Sequence, residues 1–149
     1  MICKNHMVYW IVLRIADYAK EWRNPIMAFP DVKICLNTSK DDLDQELYSP
    51  CLQWAKKFDR GVGYFTSGWL SYNARGMAIF AQGGGHARWI TSPIIDERDY
   101  TVIKEASKRE DIATYFRKLL SDSTDTLERE MEENTLNALA WMIFDGIIE

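Results

Sequence analysis

Two histidines, His6 and His86, and three cysteines, Cys3, Cys35 and Cys51, are the side chains of this 149-residue chain best suited to nucleophilic or metal chemistry. No two cysteines form a Cys-x-x-Cys pair, and neither histidine has another His or a Cys at metal-ligand spacing. The sequence therefore predicts no zinc site and no disulfide framework. A histidine nucleophile of phosphoryl transfer needs charge partners at fixed offsets. The spacing His-x-Lys-x4-Asp, tried on His86, calls for Lys at 88 and Asp at 93, where Arg88 and Pro93 stand. His6 is followed by Val8 at the lysine position. Neither fits, so His86 reads as a strand-entry residue with its polar tip in water. No catalytic residue and no cofactor is expected.

The glycines invite two phosphate-binding readings. Gly61, Gly63 and Gly68 fall short of a dinucleotide loop, because G-x-G-x-x-G needs glycine at 66, which is Thr66, and the pair lies within the strand. "GGGH" at 83–86 can cradle a phosphate with backbone N–H groups or simply turn a helix into a strand. The turn is the reading favoured. Acidic runs "DDLDQE" (41–46) and "EREMEE" (128–133) have no basic or histidine partner nearby and read as solvated helix faces.

These residues must be positioned by a frame of strands and helices. "DVKICLN" (31–37) alternates as a strand with one buried face, and 39–59 reads as a helix in two pieces, with Ser49 and Pro50 opening the second. "RGVGYFT" (60–66), apolar on both faces, is a buried central strand. Ser67 caps a helix with the stripe Leu70, Ala74, Met77 and Ala81, which Gly83 to Gly85 stop before the strand "HARWIT". Asp96 caps the next helix, and Ile112, Tyr115, Phe116, Leu119 and Leu120 mark another. A long helix from Leu127 to about Asp145 is acidic and exposed first, apolar second. Gly146 suits its C-cap, and Ile147 and Ile148 open a strand.

Apolar residues at 47% and charged residues at 27% are ordinary for one globular domain with a sizeable core. The six tryptophans are either core residues or part of a ligand surface, and their usual burial favours the core. "MVYWIVLRIA" (7–16) is too short to span a bilayer and contains Arg14, so no membrane role is expected. Cysteine usage reads as cytoplasmic. The net charge of −4 is uneven: residues 54–89 carry five basic side chains and one acidic, whereas residues 90–149 carry seven basic and fourteen acidic. The basic segment can attract a phosphate, or it is an ordinary wet face.

"LYSPCLQWAKKFDRGVGYFTSGWLSYNARGMAIFAQGGGHARWITSPIIDERD" (47–99) resembles the amino-terminal part of phospholipase D-like domains. The nearest group is the one attached to DEAD/DEAH-type helicases and to restriction or phage-defence proteins. The landmarks are the strand, turn and helix of "GVGYFTSGWL", a helix ending in GGG, and "ITSPII" before an acidic capped helix. "LNALAWMIFDGIIE" (136–149) is similar to the helix and strand start ahead of the family's histidine motif. The resemblance implies a three-layer α/β/α half-domain, a mixed sheet flanked by helices, cut short at its C-terminus. It divides the chain into an extension, 1–30, and an incomplete domain, 31–149.

In that family the central strand ends beside the cleft. The resemblance thus implies that Gly61 and Gly63 let helices pack close to the sheet. It also implies that Thr66, Ser67 and the following helix N-terminus face a phosphodiester, with Arg88 adding charge. The family's metal-independent cleavage uses two histidine motifs that meet at an interface, and the motif is missing here. Two functions follow as expectations: a phosphodiesterase or nuclease scaffold completed by a continuation or a partner chain, or a catalytically silent scaffold that binds a partner or nucleic acid. Alone, the chain is expected to be inactive. Self-association or a partner protein is expected, with DNA or RNA as a further ligand; an open sheet edge and an uncovered apolar helix face at the carboxyl end point the same way.

Overall fold

The computed structural model describes residues 10–12, 36–37 and 39–149. The strand expected at 31–37 and the role expected of the extension 1–30 lie outside the described residues, apart from Trp10–Val12 and 36–37. The architecture is mixed α/β. Strand β1 (Trp10–Val12) pairs antiparallel with β2 (Lys57–Val62), and β2 pairs in parallel with β3 (His86–Thr91), so β2 is the interior strand. Register sets Lys57 opposite His86, Asp59 opposite Arg88 and Arg60 opposite Trp89.

β2 begins three residues earlier than the sequence suggests and ends at Val62, before Gly63. The reason lies in its alternation. Phe58, Arg60 and Val62 are buried on one face, while Lys57, Asp59 and Gly61 lie on the other. Beyond it, Tyr64 is exposed, and buried Phe65 makes a single parallel bridge to Ile95. The twin glycines do not admit a close helix. Gly61 is on the face away from the core, and a Cβ at Gly63 would meet nothing within 4 Å.

Ahead of β2, a π-helical turn (Asp44–Tyr48) runs into α1 (Ser49–Leu52). Pro50 stands in the first turn, where its missing N–H costs no bond. Ser49 does not cap; its hydroxyl donates to Asp44 Oδ1 at 2.7 Å. Between β2 and β3 the expected single helix is two, α2 (Gly68–Tyr72) and α3 (Ala74–Gln82), separated by buried Asn73 at φ −109°, ψ 27°. Its Nδ2 donates to the Trp69 carbonyl at 2.8 Å, so the side chain competes for a group the helix would use. The expected long helix after 123 breaks the same way, into α6 (Thr124–Glu133) and α7 (Thr135–Phe144), with Asn134 at φ −122°, ψ 48° between them. α6 is not wholly exposed, since Leu127 and Met131 are buried.

α3 ends in a Schellman motif. The Gly84 N–H donates to Ala81 O at 3.0 Å and the Gly85 N–H to Phe80 O at 2.8 Å, with Gly84 at φ +70°. α7 ends identically through Gly146 (φ +67°) and Ile147. Asp96 caps α4 (Glu97–Glu105) by accepting from the Arg98 N–H, as its position predicts. A 3₁₀ turn (Ala106–Lys108) leads to α5 (Glu110–Leu119), whose Ile112, Phe116 and Leu119 are buried and whose Tyr115 is exposed.

The expected strand after Gly146 is present as a short parallel addition to β3. Ala87 N–H donates to Ile147 O at 2.7 Å, Glu149 N–H to Ala87 O at 2.9 Å, and Trp89 N–H to Glu149 O at 2.7 Å. The apolar half of α7 is not an uncovered face. Ala138 to Met142 are buried at the centre of the core, with Trp141 stacked on Phe116 at 5.0 Å. Helices and sheet meet through Phe58, Phe80, Trp69, Met77 and Leu70. The other sheet face carries Lys57, His86, Arg88 and Ile90, all exposed. Among the described residues the helices therefore pack on one face of the sheet.

Candidate functional site

The phosphate-facing group expected from the sequence is split in two. Thr66 and Ser67 stand past the carboxyl end of β2, whereas Arg88 lies opposite Asp59, three residues before that end and so about 10 Å away along the strand. The exits are already occupied by the chain's own polar groups. Thr66 Oγ1 accepts from the Gly68 N–H at 3.2 Å, and the Ser67 N–H donates to Oδ2 of buried Asp99 at 2.9 Å. The Ser92 hydroxyl donates to the Gly63 carbonyl. Ser67 stands at the N-cap of α2, but its hydroxyl makes no capping bond. An internal carboxylate thus sits where a ligand anion was expected, and α2 is one short turn with little dipole to offer.

Arg88 belongs to a charged groove of about 230 Å³ on the open sheet face, lined by Lys57, Asp59, His86, Arg88 and Glu149. Its guanidinium grips Asp59 with two parallel bonds, Nε to Oδ1 and Nη2 to Oδ2, both 2.7 Å. That hydrogen-bonded carboxylate raises the guanidinium's pKa above its ordinary value. His86 Nδ1 lies 2.7 Å from the Gly146 carbonyl and Nε2 lies 3.3 Å from Glu149 Oε1. Both ring nitrogens thus face oxygens of the terminal segment. The ring fastens that segment to β3.

The sequence reading missed Arg60. It is buried on the core face of β2, its guanidinium carbon 4.0 Å from the ring centroid of Trp69 and 5.0 Å from that of Trp89. The two indoles meet edge to face at 5.4 Å. Two of the six tryptophans are therefore explained by enclosing a cation. The signal was the alternation Phe58, Arg60, Val62, visible only once β2 is begun at Lys57. Asp99 was also missed, since it reads as one more acid in a first helical turn.

Among the described residues, no group of three or more His, Cys, Asp or Glu side chains is placed to hold a metal ion. No described helix is long and apolar enough to cross a membrane. No protein-family model matches the chain, and neither a characterised protein nor a solved structure matches it.

Proposed function

We propose that this chain is a phospholipase D-like scaffold of a cytoplasmic nucleic-acid-processing system of the restriction or phage-defence kind, and that it cleaves nothing by itself. Phosphodiester chemistry would come from a partner chain bearing the His-x-Lys motif. What supports the reading is the parallel succession β2, β3 and Ile147–Glu149, each joined to the next by helices, because the resemblance puts the strand that leads to the histidine motif after this same last helix. Three contacts favour the silent form: Asp99 on the Ser67 N–H, Asp59 on Arg88, and both His86 nitrogens facing the terminal segment.

The test is an assay of the purified chain on bis(p-nitrophenyl) phosphate and on a single-stranded oligonucleotide, in chelator. We expect no hydrolysis, and weak oligonucleotide binding with Kd on the order of 10⁻⁵ M that fades as salt rises. Chelator-resistant hydrolysis lost in His86→Ala contradicts the silent scaffold. Absence of binding even at low salt contradicts the nucleic-acid assignment.

A further inference from the structure

His86 opens β3, and one short piece of chain engages both of its ring nitrogens. Nδ1 lies 2.7 Å from the Gly146 carbonyl and Nε2 lies 3.3 Å from Glu149 Oε1. A carbonyl and a carboxylate can only accept, so each contact needs an N–H from the ring. Only the imidazolium carries one on both nitrogens. A neutral ring donates once, and one of the two contacts loses its hydrogen bond whichever tautomer forms.

The segment held in this way is small. Ile147–Glu149 leaves α7 at Gly146, where φ is +67°, and is tied to β3 by three backbone bonds through Ala87 and Trp89. Burial of Ile148 adds to them. Charged neighbours come from each strand: on β2, Lys57 stands opposite His86 and Asp59 opposite Arg88, and on β3, Arg88 lines the same groove as His86. Asp59 grips Arg88, on which Glu149 also acts. Of these side-chain types, only imidazole ordinarily changes charge between about pH 5 and pH 8.

We infer that His86 is a pH-sensitive latch, whose protonated ring clamps Ile147–Glu149 onto the edge of β3 and whose neutral ring lets that edge open. The clamp is complete below the histidine range and is lost as pH rises through it. His86 and Glu149 are 46% and 59% exposed, so water limits the change in opening to about twofold to fivefold. The inference goes beyond the proposed function, which needs the segment attached but not its dependence on pH.

Amide exchange in the uniformly labelled chain at about pH 5.5 and about pH 8, on either side of histidine's ordinary range, tests it. Each rate is divided by the intrinsic rate at the same pH. Protection at Ala87, Trp89 and Glu149 is expected to fall about twofold to fivefold at the higher pH, while protection in α5 stays constant. The fall should vanish in His86→Gln, shrink in Glu149→Gln and persist in His6→Gln, which removes the chain's other histidine. Protection at the three amides that is high and equal at both pH values overturns the latch alone. A fall that survives His86→Gln also overturns it. Random-coil exchange at both pH values overturns the latch and, with it, the attachment that supports the proposed function.

Discussion

Arg60 sits inside a protein whose other described arginines are on or near the surface, and its surroundings explain how it is tolerated. A guanidinium is planar and weakly hydrated, so it can lie against indole faces where an ammonium would lose more water than it regains. Arg60→Lys keeps the charge and removes the flat stack on Trp69 and Trp89. We expect it to lower stability by about 1–2 kcal/mol, read from urea unfolding followed by tryptophan fluorescence with an unchanged m-value. A variant as stable as the parent contradicts the stacking account. This residue was illegible in the sequence for a physical reason. A basic side chain in a strand is ordinarily assigned to the wet face, and only tertiary neighbours forty or fewer positions away, Trp69 and Trp89, reverse that assignment. Thr66 and Ser67 are a different case. Their location at a strand exit was legible, but the use of their polar groups was settled by Ser67's bond to Asp99, thirty-two positions along the chain.

Local capping chemistry was the most readable level of the elements. Asp96 and Gly146 do what their types and positions predict, because each acts on backbone within one turn. The breaks at Asn73 and Asn134 were not readable, since the apolar stripe continues across them and only the side-chain bonds to Trp69 O and Glu130 Oε1 mark where the helix stops. The GGG run shows why two of its members are needed for separate reasons. Gly84 holds φ +70°, whereas a Cβ on Gly85 would sit 2.4 Å from Phe80 Cε2, inside the core. Phe80 packs on Phe58 and cannot swing clear. Gly85→Ala is therefore expected to cost about 1–3 kcal/mol by overpacking, seen as a lower urea midpoint. If Gly85→Ala unfolds at the parent's midpoint, the packing of the α3–β3 joint is wrong.

At the scale of the molecule, the order of elements from α1 to the terminal segment was largely legible, because alternation, stripes and caps are sequence-local signals. Which residues of β2 face the core was not. Two faces of a sheet cannot be told apart by a short apolar run, and "RGVGYFT" suggested burial on both. The start at Lys57 gives an alternation that turns Phe58, Arg60 and Val62 to the core and leaves Lys57, with Arg88 and Ile90 of β3, exposed on the other face. The account rests most on the parallel attachment of Ile147–Glu149 to β3, since it closes the order β1, β2, β3, terminal segment and carries the functional reading. Backbone nuclear Overhauser contacts and amide exchange in the uniformly labelled chain measure it directly. The account predicts contacts between Ala87 and Ile148 in a parallel register, with slowed exchange at Ala87, Trp89 and Glu149. Random-coil shifts and free exchange at 147–149, or an antiparallel contact pattern, would contradict it.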